Sequence, residues 1–296
     1  MNMAAAAAAR SGFFHNRKNR KMLTRIIVLI LLTAGSVLFV LPFWWMVSTS
    51  LKSPQEIAQY PPTFFPAQWH WKNYEEAWQL ADFTTYTINT LTIAVFAVIG
   101  HVLSNTFIAY GFAKIRFPGR QFLFTVLLST MMIPGFVTLI PQYILFAKLH
   151  WVGTYLPLIV PGFFGGPFSV FMLRQFFMTI PNDLIEAAKI DGANHLYIWS
   201  RIMVPLAKPA VATIAILTFN GAWNDFLGPL LYVNDVSKYT LQIGLESFKG
   251  TVSSAGMQWH YLMAGSLIVL APVVLLFFLF QRYFIEGMNI SAGTKG

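Results

Sequence analysis

The stretch IPNDLIEAAKIDGANHLYIWSRIMVPLAKP, residues 180–209, is a polar segment between two long apolar blocks. Asp183 with Glu186 three residues later forms the pattern of a capping box, in which each residue satisfies a free backbone N–H at the start of a helix. Gly192 follows at a position typical of the left-handed residue that ends a helix. The spacing therefore predicts a short helix that begins at Asp183 and ends at Gly192.

A second short helix is predicted directly after this glycine. Asn194 is a good N-cap residue, and the helix is expected to end before Pro205, because a proline ring disfavours the helical conformation of the residue before it. Ala187 and Ala188 leave the first helix with little side-chain bulk, so another protein surface can approach it closely. We predict a helix–turn–helix over residues 181–206 that is available for contact.

The rest of the chain has the composition of a membrane protein. Of its 296 residues, 56% are hydrophobic and only 10% are charged, with a mean hydropathy of +0.58. The hydrophobic blocks do not alternate as the strands of a membrane β-barrel would, and each reaches the length of about 20 residues that spans a bilayer. The predicted fold is all-α, with six transmembrane helices at residues 24–47, 86–113, 121–147, 155–178, 207–233 and 260–283.

The orientation of these spans follows from the distribution of lysine and arginine. With both termini in the cytoplasm, 15 of these residues lie on the inner side and 5 on the outer side, as the positive-inside rule requires. Residues 1–23 and 284–296 are then cytoplasmic tails, and residues 50–85 form the longest outer loop. Its tryptophans and prolines indicate either a band of aromatic side chains at the membrane interface or a docking surface for an external partner.

Several kinds of function are disfavoured by the sequence. The chain has no cysteine, its six histidines lack the spacing of a metal site, and it contains no GxxxxGK[ST] loop, so we expect no metal, no catalytic residue and no nucleotide hydrolysis on this chain. The net charge of +9 is explained by the positive-inside bias and by anionic lipid, so no nucleic-acid partner is needed.

The motif EAA…G…I.VP, from Glu186 through Gly192 to Pro205, resembles the EAA loop of permeases from binding-protein-dependent ABC importers. The segments GFAKIRFPGR, WNDFLGPLL and GMNISAGTKG are similar to the second permease of the carbohydrate-uptake, maltose-type branch, so the resemblance covers nearly the whole chain. Trp199 and Val204 depart from the usual residues of the motif but keep their apolar bulk.

The resemblance implies a subunit of a bacterial inner-membrane importer for a sugar or oligosaccharide. Its partners would be a second, different permease, two copies of a cytoplasmic ATPase that binds Mg-ATP, and a periplasmic or extracellular solute-binding protein, with no cofactor on this chain. The loop would insert into the ATPase as a coupling helix. The residues implied in this coupling are Glu186, Ala187, Ala188, Asp191, Gly192 and Pro205.

The substrate path is less clearly indicated by the sequence. Asp225 is the one acidic residue inside a predicted span, so it is expected to face the bundle interior or water. Asn220, Asn224 and Asp225 either line the path or join the fifth span to its neighbours by hydrogen bonds. Weaker candidates of the same kind are His101, Asn105, Asn89 and Gln142.

The substrate itself is left open by the sequence: malto-oligosaccharide, another oligosaccharide, a sugar phosphate or an acidic polysaccharide fragment. The alternative function is a secondary transporter or channel driven by an ion gradient. Such a protein usually shows a repeated half and intramembrane ionisable relays, for which the sequence offers one acid and no clear repeat. An intramembrane enzyme is disfavoured because the HExxH and paired-acid signatures are missing.

Overall fold

The computed structural model describes residues 3–250 and 258–291, with side chains described for residues 21–22, 24–249 and 258–281. These residues form helices and connecting loops, with no strand in the described part of the chain. The long α-helices are α1 (Met3–Ser50), α4 (Phe83–Lys114), α5 (Arg120–Ser129), α6 (Gly135–Lys148), α8 (Pro167–Thr179), α12 (Lys208–Trp223), α14 (Leu241–Gly250) and α15 (Trp259–Ser291).

Shorter helices lie between them. The outer loop contains α2 (Pro54–Ile57) and α3 (Lys72–Leu80), α7 (Leu156–Ile159) precedes a 3-10 turn and α8, and α13 (Leu227–Tyr232) follows α12. The polar 181–206 loop contains α9 (Asp183–Ile190), α10 (His195–Tyr197), a π-helical turn at Ile198–Met203 and α11 (Val204–Leu206).

Four of the described helical segments are long and apolar enough to cross a membrane: Thr24–Ser50, Phe83–Lys114, Leu156–Thr179 and Trp259–Gln281. Two strongly bent pairs raise the number to six if each pair is counted as one span: Arg120–Met132 with Gly135–Lys148, and His195–Leu206 with Lys208–Trp223. Helices α1 and α15 also extend into the predicted tails, since α1 begins at Met3 and α15 ends at Ser291. The fold is an all-α polytopic membrane fold.

The third predicted span is not one continuous helix. Arg120–Met132 and Gly135–Lys148 meet at an angle of 100°. Ile133 precedes Pro134 and has extended backbone angles, φ −82° and ψ 116°, which is the conformation that a following proline imposes. The proline therefore ends the first half and begins the second.

The fifth predicted span is interrupted as well. Helix α12 ends at Trp223 and α13 begins at Leu227. Asp225 lies in the break, where its Oδ1 accepts a hydrogen bond from the backbone N–H of Gly228 at 3.0 Å. Pro229 has no N–H to continue the helical pattern. An aspartate side chain such as that of Asp225 also competes with the helix for backbone N–H groups. The sequence predicted a continuous helix at Asp225, but the structure places this residue in a break between two helices.

Two buried clusters hold the helices together. One joins α4, α8 and α12 to the 181–206 loop and includes Tyr110, Leu173 and Phe177. The other joins the outer loop, α14 and α15 around Phe83 and Trp223. The polar loop is thus packed into one of the two main cores rather than standing apart from the spans.

Candidate functional site

The first helix of the 181–206 loop begins one residue earlier than a capping box at Asp183 requires. Asn182 is its N-cap residue, and no side chain caps the helix. The Asn182 Oδ1 atom instead accepts a hydrogen bond at 2.8 Å from Nζ of Lys114, at the end of α4. The predicted capping box is wrong: the N-cap is Asn182 rather than Asp183, and the Asn182 side chain attaches the loop to a span.

Gly192 ends this helix in the left-handed conformation that the sequence predicted, with φ +81°. The N–H of Ala193 donates to the carbonyl of Ala188 at 2.9 Å, and the N–H of Gly192 donates to that of Lys189 at 3.0 Å. This pair of bonds is a Schellman motif, which satisfies carbonyl groups at the helix end. The turn between the two helices is therefore closed by backbone bonds.

The second helix begins as predicted and ends later than predicted. Asn194 caps it by accepting a bond from the N–H of Tyr197 at 2.8 Å. The helical path then continues through Pro205 to Leu206, and Val204, directly before the proline, is helical with φ −63° and ψ −46°. A π-helical turn precedes the proline, with the N–H of Val204 bonded to Trp199; this wider turn leaves space for the ring.

The inner side of the loop is tightly packed. Ile185 is 5% exposed, and Ile198 and Met203 are fully buried against α4, α8 and α12. Closely packed interiors transmit strain because they have little room to adjust. The inner side of the loop therefore has little room to move relative to the spans beneath it.

Two polar contacts reinforce this attachment. Lys114 Nζ donates to the carbonyl of Ile180 at 2.6 Å, in addition to Asn182. The hydroxyl of Tyr110 forms a hydrogen bond of 2.8 Å with Nδ1 of His195. Sequence reasoning missed both contacts. Lys114 had a weak signal, as a lysine at the end of an apolar helix, but no pattern in the sequence linked Tyr110 to a residue 85 positions away.

The outer side of the loop is exposed. Of the residues implied in coupling, Glu186, Ala187, Asp191, Gly192 and Pro205 are exposed and Ala188 is half-buried. Ile190 is 86% exposed and Leu184 is 46% exposed. By helical spacing, Leu184, Ala187, Ile190 and Asp191 share one surface, which we call the outer face of α9.

His101 and Asn105 of α4 make the hydrogen bonds between segments that the sequence offered as one of two possibilities. Asn105 is 0% exposed; its Oδ1 accepts from the N–H of Gly166 at 2.7 Å, and its Nδ2 donates to the carbonyl of His101. His101 Nε2 lies 2.9 Å from Oγ of Ser169. These bonds join α4 to the segment that contains α8. Asn89 likewise donates from α4 to the carbonyls of residues 237 and 239.

The candidates near the break in the fifth span are more accessible. Asn220 and Asn224 are exposed, and Asn224 Nδ2 donates to Oδ1 of Asn220 at 2.8 Å. Asp225 is half-buried and bonded within its own segment, so among the described residues the bond found for its carboxylate is local rather than between helices. Gln142 is exposed on α6. The structure therefore groups Asn220, Asn224 and Asp225 and leaves the other candidates elsewhere.

Comparison with known proteins gives a consistent result. Residues 105–290 match the family model described as binding-protein-dependent transport system inner membrane component. The chain is 36% identical over 249 residues to the osmoprotective compounds uptake permease protein GgtD of Synechocystis sp., covering 83% of this chain and 78% of that protein. It is 32% identical over 264 residues to the arabinooligosaccharides transport system permease protein AraQ of Bacillus subtilis, covering 88% and 92%.

A solved structure agrees with these relatives. The crystal structure of a bacterial ABC transporter involved in the import of the acidic polysaccharide alginate contains a chain that superposes with a TM-score of 0.78. That match has 25% sequence identity and covers 89% of this chain and 97% of the other. The family match removes the ion-gradient alternative. With its broken apolar helices and its exposed, anchored loop, this chain belongs to the family of inner membrane components of binding-protein-dependent transport systems.

Proposed function

We propose that this chain is one of two different permease subunits of an ATP-driven importer for a sugar or oligosaccharide, and that the 181–206 loop couples it to a cytoplasmic ATPase. One observation carries the proposal: the loop is exposed on its outer face and fixed to the spans on its inner face. Such an element can receive a displacement from a partner and pass it to the membrane helices.

The substrate class is inferred from the relatives. Their names include uptake of osmoprotective compounds, arabinooligosaccharides and diacetylchitobiose. Saccharides and their derivatives recur in these names, so a polyhydroxylated compound fits best. In this chain, the exposed amides of Asn220 and Asn224 beside the half-buried Asp225 supply donors and acceptors suited to hydroxyl groups.

The partners follow from the division of labour in such an importer. A single chain of up to six spans supplies half of a closed path, so a different permease is expected to complete it. Two ATPase copies bind and hydrolyse Mg-ATP, and an external solute-binding protein delivers the substrate. The protein lies in the bacterial cytoplasmic membrane with both termini inside, as its lysine and arginine distribution favours.

Charge reversal at Glu186 tests the coupling role. Glu186→Lys should lower uptake and substrate-stimulated ATP hydrolysis by about tenfold, roughly the effect of losing one charge-assisted hydrogen bond, whereas Glu186→Gln should retain more activity. Glu75→Lys is the matched control, because Glu75 is also an exposed acid in the first turn of a short helix, but in the outer loop. Wild-type uptake in Glu186→Lys, with the ATPase fully bound, would show that the loop does not couple.

A further inference from the structure

A cavity of about 550 Å³ lies between the end of α4, the loop that follows it and helix α9. Its lining includes five residues that carry or can carry positive charge, and one carboxylate: Lys114, Arg116, Arg120, Lys189, His195 and Glu186. With the histidine neutral, the four permanent cations exceed the single carboxylate by three charges. This is a concentrated positive potential within one concave site.

These cations are not neutralised by the described part of the chain. The ion pair found there, Lys249–Glu246, lies elsewhere. Lys114 is bonded to a carbonyl and an amide oxygen, and Arg120 Nη1 donates to the carbonyl of Ile115 at 3.3 Å. Arg116 is exposed, and no hydrogen bond from it to another described residue is found. The cavity therefore offers unused donors and uncompensated charge, which together suit a multiply bonded anion.

The position of the cavity favours an amphiphilic anion. Lys114 is the last residue of the apolar helix α4, and Arg120 is the first residue of α5. Both therefore lie where the hydrocarbon layer gives way to lipid headgroups. Two and three residues after Arg120, Phe122 is 71% exposed and Leu123 is 49% exposed. An apolar surface beside a basic cavity can accommodate acyl chains next to a bound phosphate.

We propose that this cavity binds the headgroup of an anionic phospholipid from the cytoplasmic leaflet. The inference rests on the proposed orientation of the chain and does not depend on the substrate. Basic pockets between membrane helices on the cytoplasmic side are suited to such headgroups. On α9, Lys189 lies on the cavity side, Ala187 and Ile190 belong to the outer face, and Glu186 falls between them by helical spacing. Lipid and ATPase can therefore occupy different sides of one helix, with Glu186 at the edge between the two sides. Lipid occupancy then stiffens the attachment of the loop.

The test uses the assembled importer in bilayers of phosphatidylcholine with phosphatidylglycerol, followed by native mass spectrometry of retained lipid. Arg116→Gln should lower the apparent affinity for phosphatidylglycerol about fivefold, the effect expected for one basic residue near a charged membrane surface. Arg116→Lys should retain most of the wild-type affinity for phosphatidylglycerol. Lys208→Gln is the matched control, since it removes an exposed cation at the start of α12, on the same predicted side but outside the cavity.

Each alternative gives a distinct result. Equal loss in Arg116→Gln and Lys208→Gln would indicate a diffuse surface effect, and displacement of the lipid by inorganic phosphate would indicate a free-anion site. Loss of ATPase from Arg116→Gln with lipid retention unchanged would assign the cavity to a protein contact. Any of these outcomes overturns the proposal. Uptake measured in bilayers of phosphatidylcholine alone tests the importer function separately. If the cavity does not bind lipid, the proposed importer function is therefore unaffected.

Discussion

The first membrane helix and the 181–206 loop show opposite relations between polarity and packing. Thr24–Ser50 is among the most apolar segments of the chain, yet none of its most apolar stretch is buried within the protein. The loop is far more polar, and Ile185, Ile198 and Met203 lie almost entirely in the core. In a membrane, lipid tails are as apolar as leucine, so apolarity shows which solvent surrounds a helix and not what it packs against.

The largest expected effect comes from the same truncation in both regions. Ile198→Ala should lower the free energy of unfolding by about 2–5 kcal/mol, because it leaves a cavity in a packed core. Ile30 is 62% exposed on the first helix, so Ile30→Ala should cost less than about 1 kcal/mol. Thermal unfolding of the two variants in detergent measures the difference. Equal losses would mean that the first helix is packed as tightly as the loop.

An intermediate effect is expected where α4 is bonded to the loop. Lys114→Met removes the bonds to Ile180 and Asn182. Because solvent reaches this half-buried lysine, the two bonds together should contribute about 2 kcal/mol. Hydrogen exchange across the 181–206 loop should accelerate while the spans stay protected. Lys148→Met is the control, because Lys148 is also a lysine in the last turn of an apolar helix and is exposed. Identical exchange in both variants would show that these bonds do not hold the loop.

The smallest effect is expected at the turn of the loop. Gly192 has φ +81°, and a Cβ there would meet nothing within 4 Å, so the cost of substitution is conformational rather than steric. Gly192→Ala should destabilise the loop by about 1–2 kcal/mol. Gly192→Asn should cost less, because asparagine tolerates the left-handed region. Protease resistance of the loop measures this order, and a more stable alanine variant would contradict the argument.

The sequence predicted the features that depend on local chemistry. Gly192 and Asn194 were placed correctly because a left-handed C′ residue and an N-cap need only their neighbours. The sites that were wrong depend on distant partners or on a change of helix type. Asn182 is the N-cap residue of α9, but its side chain accepts a hydrogen bond from Lys114 instead of capping the helix. Pro205 stays within a helical path because a π-helical turn precedes it.

The same distinction applies to the candidates for the substrate path. For His101 and Asn105 the sequence left open whether they line the path or join helices, and their bonds to Ser169 and Gly166 join two segments more than 60 positions apart. Contacts between residues so far apart in the chain produce no periodic pattern in a single sequence. Asp225 was singled out correctly as unusual, but the local break that accommodates it follows from the nearby Pro229 and from its bond to Gly228, which the apolar pattern concealed.

The most direct test of the central claim is site-specific cross-linking of the 181–206 loop. The chain has no cysteine, so Ala187→Cys carries a benzophenone label at one position only, on the exposed outer face of α9. Ala67→Cys places the same label at an exposed position in the outer loop. In the assembled importer, the label at position 187 should cross-link to the ATPase subunit, and the label at 67 should not. Absence of an ATPase adduct at 187, in a complex that still contains the ATPase and still transports, would contradict coupling through this loop.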